Sequence, residues 1–94
     1  MLSAIVLLTT ERDQTKRVAE ALADTDGVSE VYSVAGRYDL AAMVRASDND
    51  QLADIVTEHI RGLPGITSSE TLIAFRVYSR HDLERMFSIG LEKA

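Results

Sequence analysis

Along this chain the hydrophobic period switches between that of a strand and that of a helix, in the order β-α-β-β-α-β. No other feature restricts the fold as much. Ser3 to Thr9 is a run rich in Ile, Val and Leu, the pattern of an interior strand paired on both sides. From Asp13 to Ala23 the spacing becomes helical. Val18 and Leu22 make one stripe with Ala19 and Ala21 beside it, and Thr10 or Asp13 is the expected cap. Asp26-Gly27 stops that helix. Val28 to Ala35 and Leu40 to Ala46 are the next two strands. The short link Gly36-Arg37-Tyr38-Asp39 between them predicts an antiparallel hairpin.

Asp48 is the expected N-cap of a second helix, with Gln51 at its N3 position. Leu52, Ile55, Val56, His59 and Ile60 then recur at helical spacing, until Gly62-Leu63-Pro64-Gly65 ends the run. Ile66 to Tyr78 reads as one long final strand, and His81 to Leu91 as a short amphipathic helix carrying Leu83, Met86, Phe87 and Leu91. Right-handed crossovers about a central hairpin turn this order into a ferredoxin-like α+β fold. Its four-stranded antiparallel sheet carries both helices on one face. The other face then needs a cover. Leu72 and Ala74 alternate with Ile73, Phe75 and Val77 on the last strand, so pairing of sheets between two subunits is the expected solution.

With 94 residues the chain is expected to form a single domain, residues 1–94, made of a core over 1–78 and a C-terminal tail over 79–94. Hydrophobic residues at 46% and charged residues at 27% are those of a globular protein rather than a disordered chain. The absence of cysteine excludes disulfides and thiolate chemistry and fits a reducing compartment. The apolar start has no basic flank and is too short for a signal peptide or a membrane span, so the expected location is the cytoplasm. Ten basic against fifteen acidic residues give a net charge of -5. Lys16 and Arg17 are adjacent, but the other basic residues lie scattered among acids, which argues against nucleic acid as a partner.

Little in the sequence speaks for catalysis. His59 is read as a histidine at the edge of the core, and His81 as a surface or capping residue. No metal-ligand spacing, glycine-rich phosphate loop or nucleophile elbow occurs, so neither a metal nor a cofactor is expected. Asp24 with Asp26, and Asp48 with Asp50, are explained by a turn and a helix start. The hairpin loop is the exception. Gly36, Arg37, Tyr38 and Asp39 bring a cation, a phenol and a carboxylate into four positions, a set suited to a zwitterion such as an amino acid. An ordinary polar turn with Asp39 bonded to nearby backbone accounts for the same residues. Ser69 and Thr71, two apart, put hydroxyls on one face of the last strand.

The stretch from Gly27 through Glu30, the loop Gly36-Arg37-Tyr38-Asp39-Leu40, the turn Leu63-Pro64-Gly65-Ile66 and the strand start Ser69-Glu70-Thr71 resemble, in this order, the effector-binding domain of the Lrp/AsnC regulators. The resemblance reaches to about Phe75. It implies a ferredoxin-like fold that dimerises through its sheet, with dimers often forming rings of four. It also implies binding of an amino acid or related metabolite between dimers. On that pattern Gly36, Arg37, Tyr38, Asp39, Leu40, Ser69 and Thr71 would line the site, with Glu30 nearby. Serine at position 69 stands where the family pattern has threonine, which bears on the identity of the effector. Because the chain opens directly on its first strand, it resembles members without a helix-turn-helix reader. The expectation is an oligomeric, non-enzymatic sensing module that binds effector and does not bind DNA. Two alternatives stand beside it: a small dimeric α+β barrel enzyme of the monooxygenase or isomerase type, and a ligand-free assembly partner of full-length regulators.

Overall fold

A computed structural model describes residues 1–78 and residue 80. Strands β1 (Leu2–Thr10), β2 (Val28–Ser33), β3 (Leu40–Ala46) and β4 (Ile66–Ile73) alternate with helices α1 (Thr15–Ala23) and α2 (Asn49–Asp54) in the expected order. The strands form one antiparallel sheet in the order β2-β3-β1-β4. This is the ferredoxin-like arrangement. The expected helix from His81 to Leu91 lies outside the described residues.

Register fixes the two faces. Ala4, Val6 and Leu8 of β1 stand opposite Val44, Ala42 and Leu40 of β3. All six side chains are buried against Val18 and Leu22 of α1 and Leu52, Ile55 and Ile60 of the second helical segment. Fully burying a side chain of the Val, Leu or Ile type contributes about 1.5–3 kcal/mol. The intervening residues Ile5, Leu7, Ala41 and Met43 point to the opposite face, which no helix among the described residues covers. Tyr32 of β2 pairs with Ala41, and Leu72 of β4 with Ile5, so both extend this open apolar face.

The helices do not cover their own face evenly. α1 packs mainly on β2 and β3, and α2 on β3, which leaves β4 at the margin. Ser69 pairs with Leu8 and Thr71 with Val6, two core residues, yet both hydroxyl residues are exposed. This uneven cover is what creates the candidate site.

Several local expectations differ from the structure. β1 runs on through Thr10, so Thr10 is too early to cap a helix beginning at Thr15. Gln14 takes the N-cap position, without a side-chain bond. Asp48 does cap α2, accepting from the Gln51 backbone N–H at 2.8 Å. The Gln51 side chain accepts from the Ser47 N–H, one residue earlier than in a capping box. Residues Ile55–Ile60 widen into a π-helical turn, closed by Arg61 N–H donating to the Val56 carbonyl at 2.9 Å. β2 stops at Ser33 rather than Ala35. β4 stops at Ile73 rather than Tyr78, because its one neighbour among the described residues, β1, starts at Leu2. The last bond beside this ladder is Ala74 N–H to the Ser3 carbonyl, at 2.8 Å.

Candidate functional site

A cavity of about 520 Å³ opens beside the exposed helix-side face of β4. Its polar lining consists of Thr67, Ser68, Ser69 and Thr71, while Val56 and Ile66 supply apolar wall. Arg61, at the end of the π-turn, is its single charged lining residue among the described residues. Alternation alone would send adjacent hydroxyls of a strand to opposite faces. A register shift between Thr9 and Thr10 alters that, since Thr9 pairs with Ser68 while Thr10 pairs with Ile66. The Thr9 hydroxyl lies 2.6 Å from Thr67 Oγ1 and also bonds Ser68 Oγ. Ser69 and Thr71 form no side-chain hydrogen bond with the described residues, so their hydroxyls are available to a ligand.

The β2–β3 loop is built differently. Gly36 has a φ of +134°, with open space where a Cβ would stand, and Arg37 is exposed. Asp39 is half-buried and bonded across to β1. Its Oδ2 accepts from the Thr10 backbone N–H at 2.8 Å, with the Thr10 hydroxyl at 3.5 Å. The Asp39 backbone N–H donates to the Leu8 carbonyl at 2.8 Å. Tyr38 donates its phenolic hydrogen to Glu70 Oε2. That bond raises the Tyr38 pKa above the ordinary phenol value, with desolvation and the Glu70 charge adding and Arg37 opposing. Glu70 pairs with Leu7, so this bond lies on the open face. Leu40 is fully buried in the core.

Glu30 pairs with Met43 on the open face, the opposite side of the sheet from the cavity. There it hydrogen-bonds Tyr32 and raises that phenol's pKa, with desolvation and the carboxylate charge adding. Within one chain, then, Ser69 and Thr71 share the cavity, while Tyr38 and Glu30 belong to the open face. His59 is exposed and lines a separate hollow of about 230 Å³ with Asp26 and Asp54. No group of three or more His, Asp or Glu among the described residues is arranged to hold a metal. One cavity residue, Arg61, drew no notice in the sequence, and Val56 was read there only as part of the helical stripe. The signal for Arg61 was its place directly before the Gly62-Leu63-Pro64-Gly65 turn that leads into β4.

The model of the Lrp/AsnC ligand binding domain matches residues 3–83. The chain belongs to this family. Among the Lrp/AsnC relatives, a helix-turn-helix transcriptional regulator of Pyrococcus furiosus is 38% identical over 60 residues, which are 64% of this chain and 40% of the regulator. The chain thus spans less than half of that relative's length. A solved Thermus thermophilus protein shares 45% identity at a TM-score of 0.80, and the match covers 85% of this chain and all of that one (100%). The fold alone is shared with a transcriptional regulator of Neisseria meningitidis solved in complex with L-Met. That likeness has 12% identity and a TM-score of 0.75, covering 84% of this chain and 53% of the regulator. An Lrp/AsnC ligand-binding domain of this kind is a regulatory module.

Proposed function

We propose that this domain senses an amino acid or a related small carboxylic metabolite and answers by changing its assembly, without contacting DNA itself. The observation that carries this reading is the hydroxyl-floored cavity on β4, with Ser69 and Thr71 unpaired, in a domain of the Lrp/AsnC ligand-binding family. The L-Met complex of the Neisseria relative supports an amino acid as the ligand class. The net charge of -5 supports the absence of a DNA surface.

The open sheet face supports a dimer. Ile5, Leu7, Met43, Tyr32 and Leu72 present apolar surface with no cover among the described residues, and a second copy would bury it. In such a dimer the β2–β3 loop, with Gly36, Arg37, Tyr38 and Asp39, lies at the end of the sheet, while Leu40 stays in the core. The loop is then placed to meet a site on a neighbouring dimer. Glu30 stays at the sheet interface.

The test is thermal melting against each of the twenty amino acids, with light scattering on every hit. Saturation to about one hundred times Kd adds roughly 2.7 kcal/mol, a shift of several degrees for a domain of this size. A selective shift that weakens in Ser69→Ala and Thr71→Val supports sensing at the cavity. A flat panel refutes it and favours the assembly-partner reading. For the dimer, Leu7→Lys should give monomers in light scattering; an unchanged mass refutes pairing through this face.

A further inference from the structure

Five of the seven arginines among the described residues can be compared by their surroundings. Arg17 donates to Gln14 Oε1 and to the Pro64 carbonyl, and Arg45 reaches Ser3 Oγ at 3.4 Å. Arg37 sits exposed on the loop beside Tyr38, and Arg76 borders a different hollow, on the open face. Arg61 alone lines the β4 cavity, and its guanidinium has no hydrogen-bond or ion-pair partner among the described residues. No carboxylate lines that cavity with it.

The arrangement has a direct electrostatic meaning. An exposed guanidinium with five donors and no acceptor among the described residues, lining one cavity with two free hydroxyls, favours a ligand that brings a carboxylate. A neutral zwitterion gains the same contact at its carboxylate, but its ammonium then sits near a fixed cation with no acid to offset it. The acid of the hairpin loop, Asp39, does not line the cavity and already accepts from the Thr10 backbone N–H. A ligand of net negative charge has no such penalty.

The route from sequence to this placement runs through the π-turn. Arg61 N–H reaches back to the Val56 carbonyl, five residues earlier, at 2.9 Å. This wider turn puts Val56 and Arg61 together on the wall of one cavity, where a regular helix would close on the residue four back.

We infer that Arg61 is the specificity-determining residue of the β4 cavity and selects an anionic carboxylate ligand, an acidic amino acid or a 2-oxo acid, over neutral amino acids. The inference rests on the cavity being the effector site. Its chemistry is a charge-assisted, forked contact from Arg61 to a ligand carboxylate, with Ser69 and Thr71 bonding the remaining polar atoms.

The experiment uses the full chain and isothermal titration with L-glutamate, L-glutamine and 2-oxoglutarate, since glutamine matches glutamate in shape without the charge. Wild type should bind glutamate or 2-oxoglutarate at least about tenfold more tightly than glutamine, the range expected for a hydrogen bond to a charged group. Arg61→Gln should erase that preference, while Arg61→Lys retains part of it. Melting of the unliganded variants, expected to match wild type, guards against misfolding. Glutamine binding as tightly as the acids, or a preference for the acids that survives Arg61→Gln, overturns the inference. Where a neutral amino acid binds and is lost in Thr71→Val but not in Arg61→Gln, the cavity stands and only the charge assignment falls. If none of the three probes nor any amino acid of the thermal panel binds, the sensing reading falls, and this inference with it.

Discussion

Replacing Asp39 with alanine removes the acceptor of the Thr10 backbone N–H, a bond of 2.8 Å between the hairpin loop and the end of β1. A hydrogen bond to a charged group contributes about 1.5–3 kcal/mol. The site is half-buried, so water partly replaces the lost acceptor and the low end, about 1.5 kcal/mol, applies. In a domain of this length each kcal/mol moves Tm by roughly 4–8 °C, which gives an expected drop of roughly 6–12 °C. Asp39→Asn keeps an oxygen at the same place and should recover more than half of the loss. Circular dichroism melts of the three proteins at neutral pH decide the matter. An alanine variant melting within about 2 °C of wild type would refute the claim that this bond holds the loop. The asparagine variant has a second use. If the Asp39 charge contacts a ligand ammonium, Asp39→Asn weakens binding as much as Asp39→Ala does, although it costs less than half as much in Tm.

Gly27→Ala forces a side chain onto a residue with φ of +93° and drives its Cβ into Ile55 Cδ1, so urea unfolding should show a loss of about 2 kcal/mol or more. Asp48→Ala strips the Gln51 N–H of its 2.8 Å acceptor and should cost about 1 kcal/mol in the same assay, with Asp48→Asn or Asp48→Ser nearly neutral. Tyr38 has a raised pKa through its bond to Glu70. The folded value exceeds the unfolded one, so this contribution is complete below the ordinary phenol range and fades as pH climbs through the raised value. Tyrosinate absorbance should therefore show one phenol titrating at lower pH in Glu70→Gln than in wild type; unchanged titration would refute the contact.

Much of the fold was legible because period and punctuation agree. Leu40–Ala46 begins and ends where its pattern does, since β3 is central, buried on one face and bounded by Asp39 and Ser47. The end of β4 was not legible. Phe75 and Val77 continue the apolar alternation, but a strand needs a neighbour, and nothing in residues 66–78 records where β1 starts. The π-turn was equally hidden. Leu52, Ile55 and Ile60 are all buried, and that spacing fits a regular helix about as well as a widened one. At the site, Ser69 and Thr71 stood out by their shared parity. Arg61 did not, because its position depends on the extra residue in the turn before it.

The fourth strand also bears on colloidal behaviour. It is an eight-residue edge, almost entirely exposed, with a bulged start and one side without a partner strand among the described residues. Such an edge is a template on which stray chains nucleate fibrils. Here its middle reads Ser68-Ser69-Glu70-Thr71, a stretch too polar and too charged to stack dry against copies of itself. The hydroxyls that make the cavity wet thus also act as gatekeepers, and replacing them wholesale with valine or isoleucine would trade a binding surface for a sticky one.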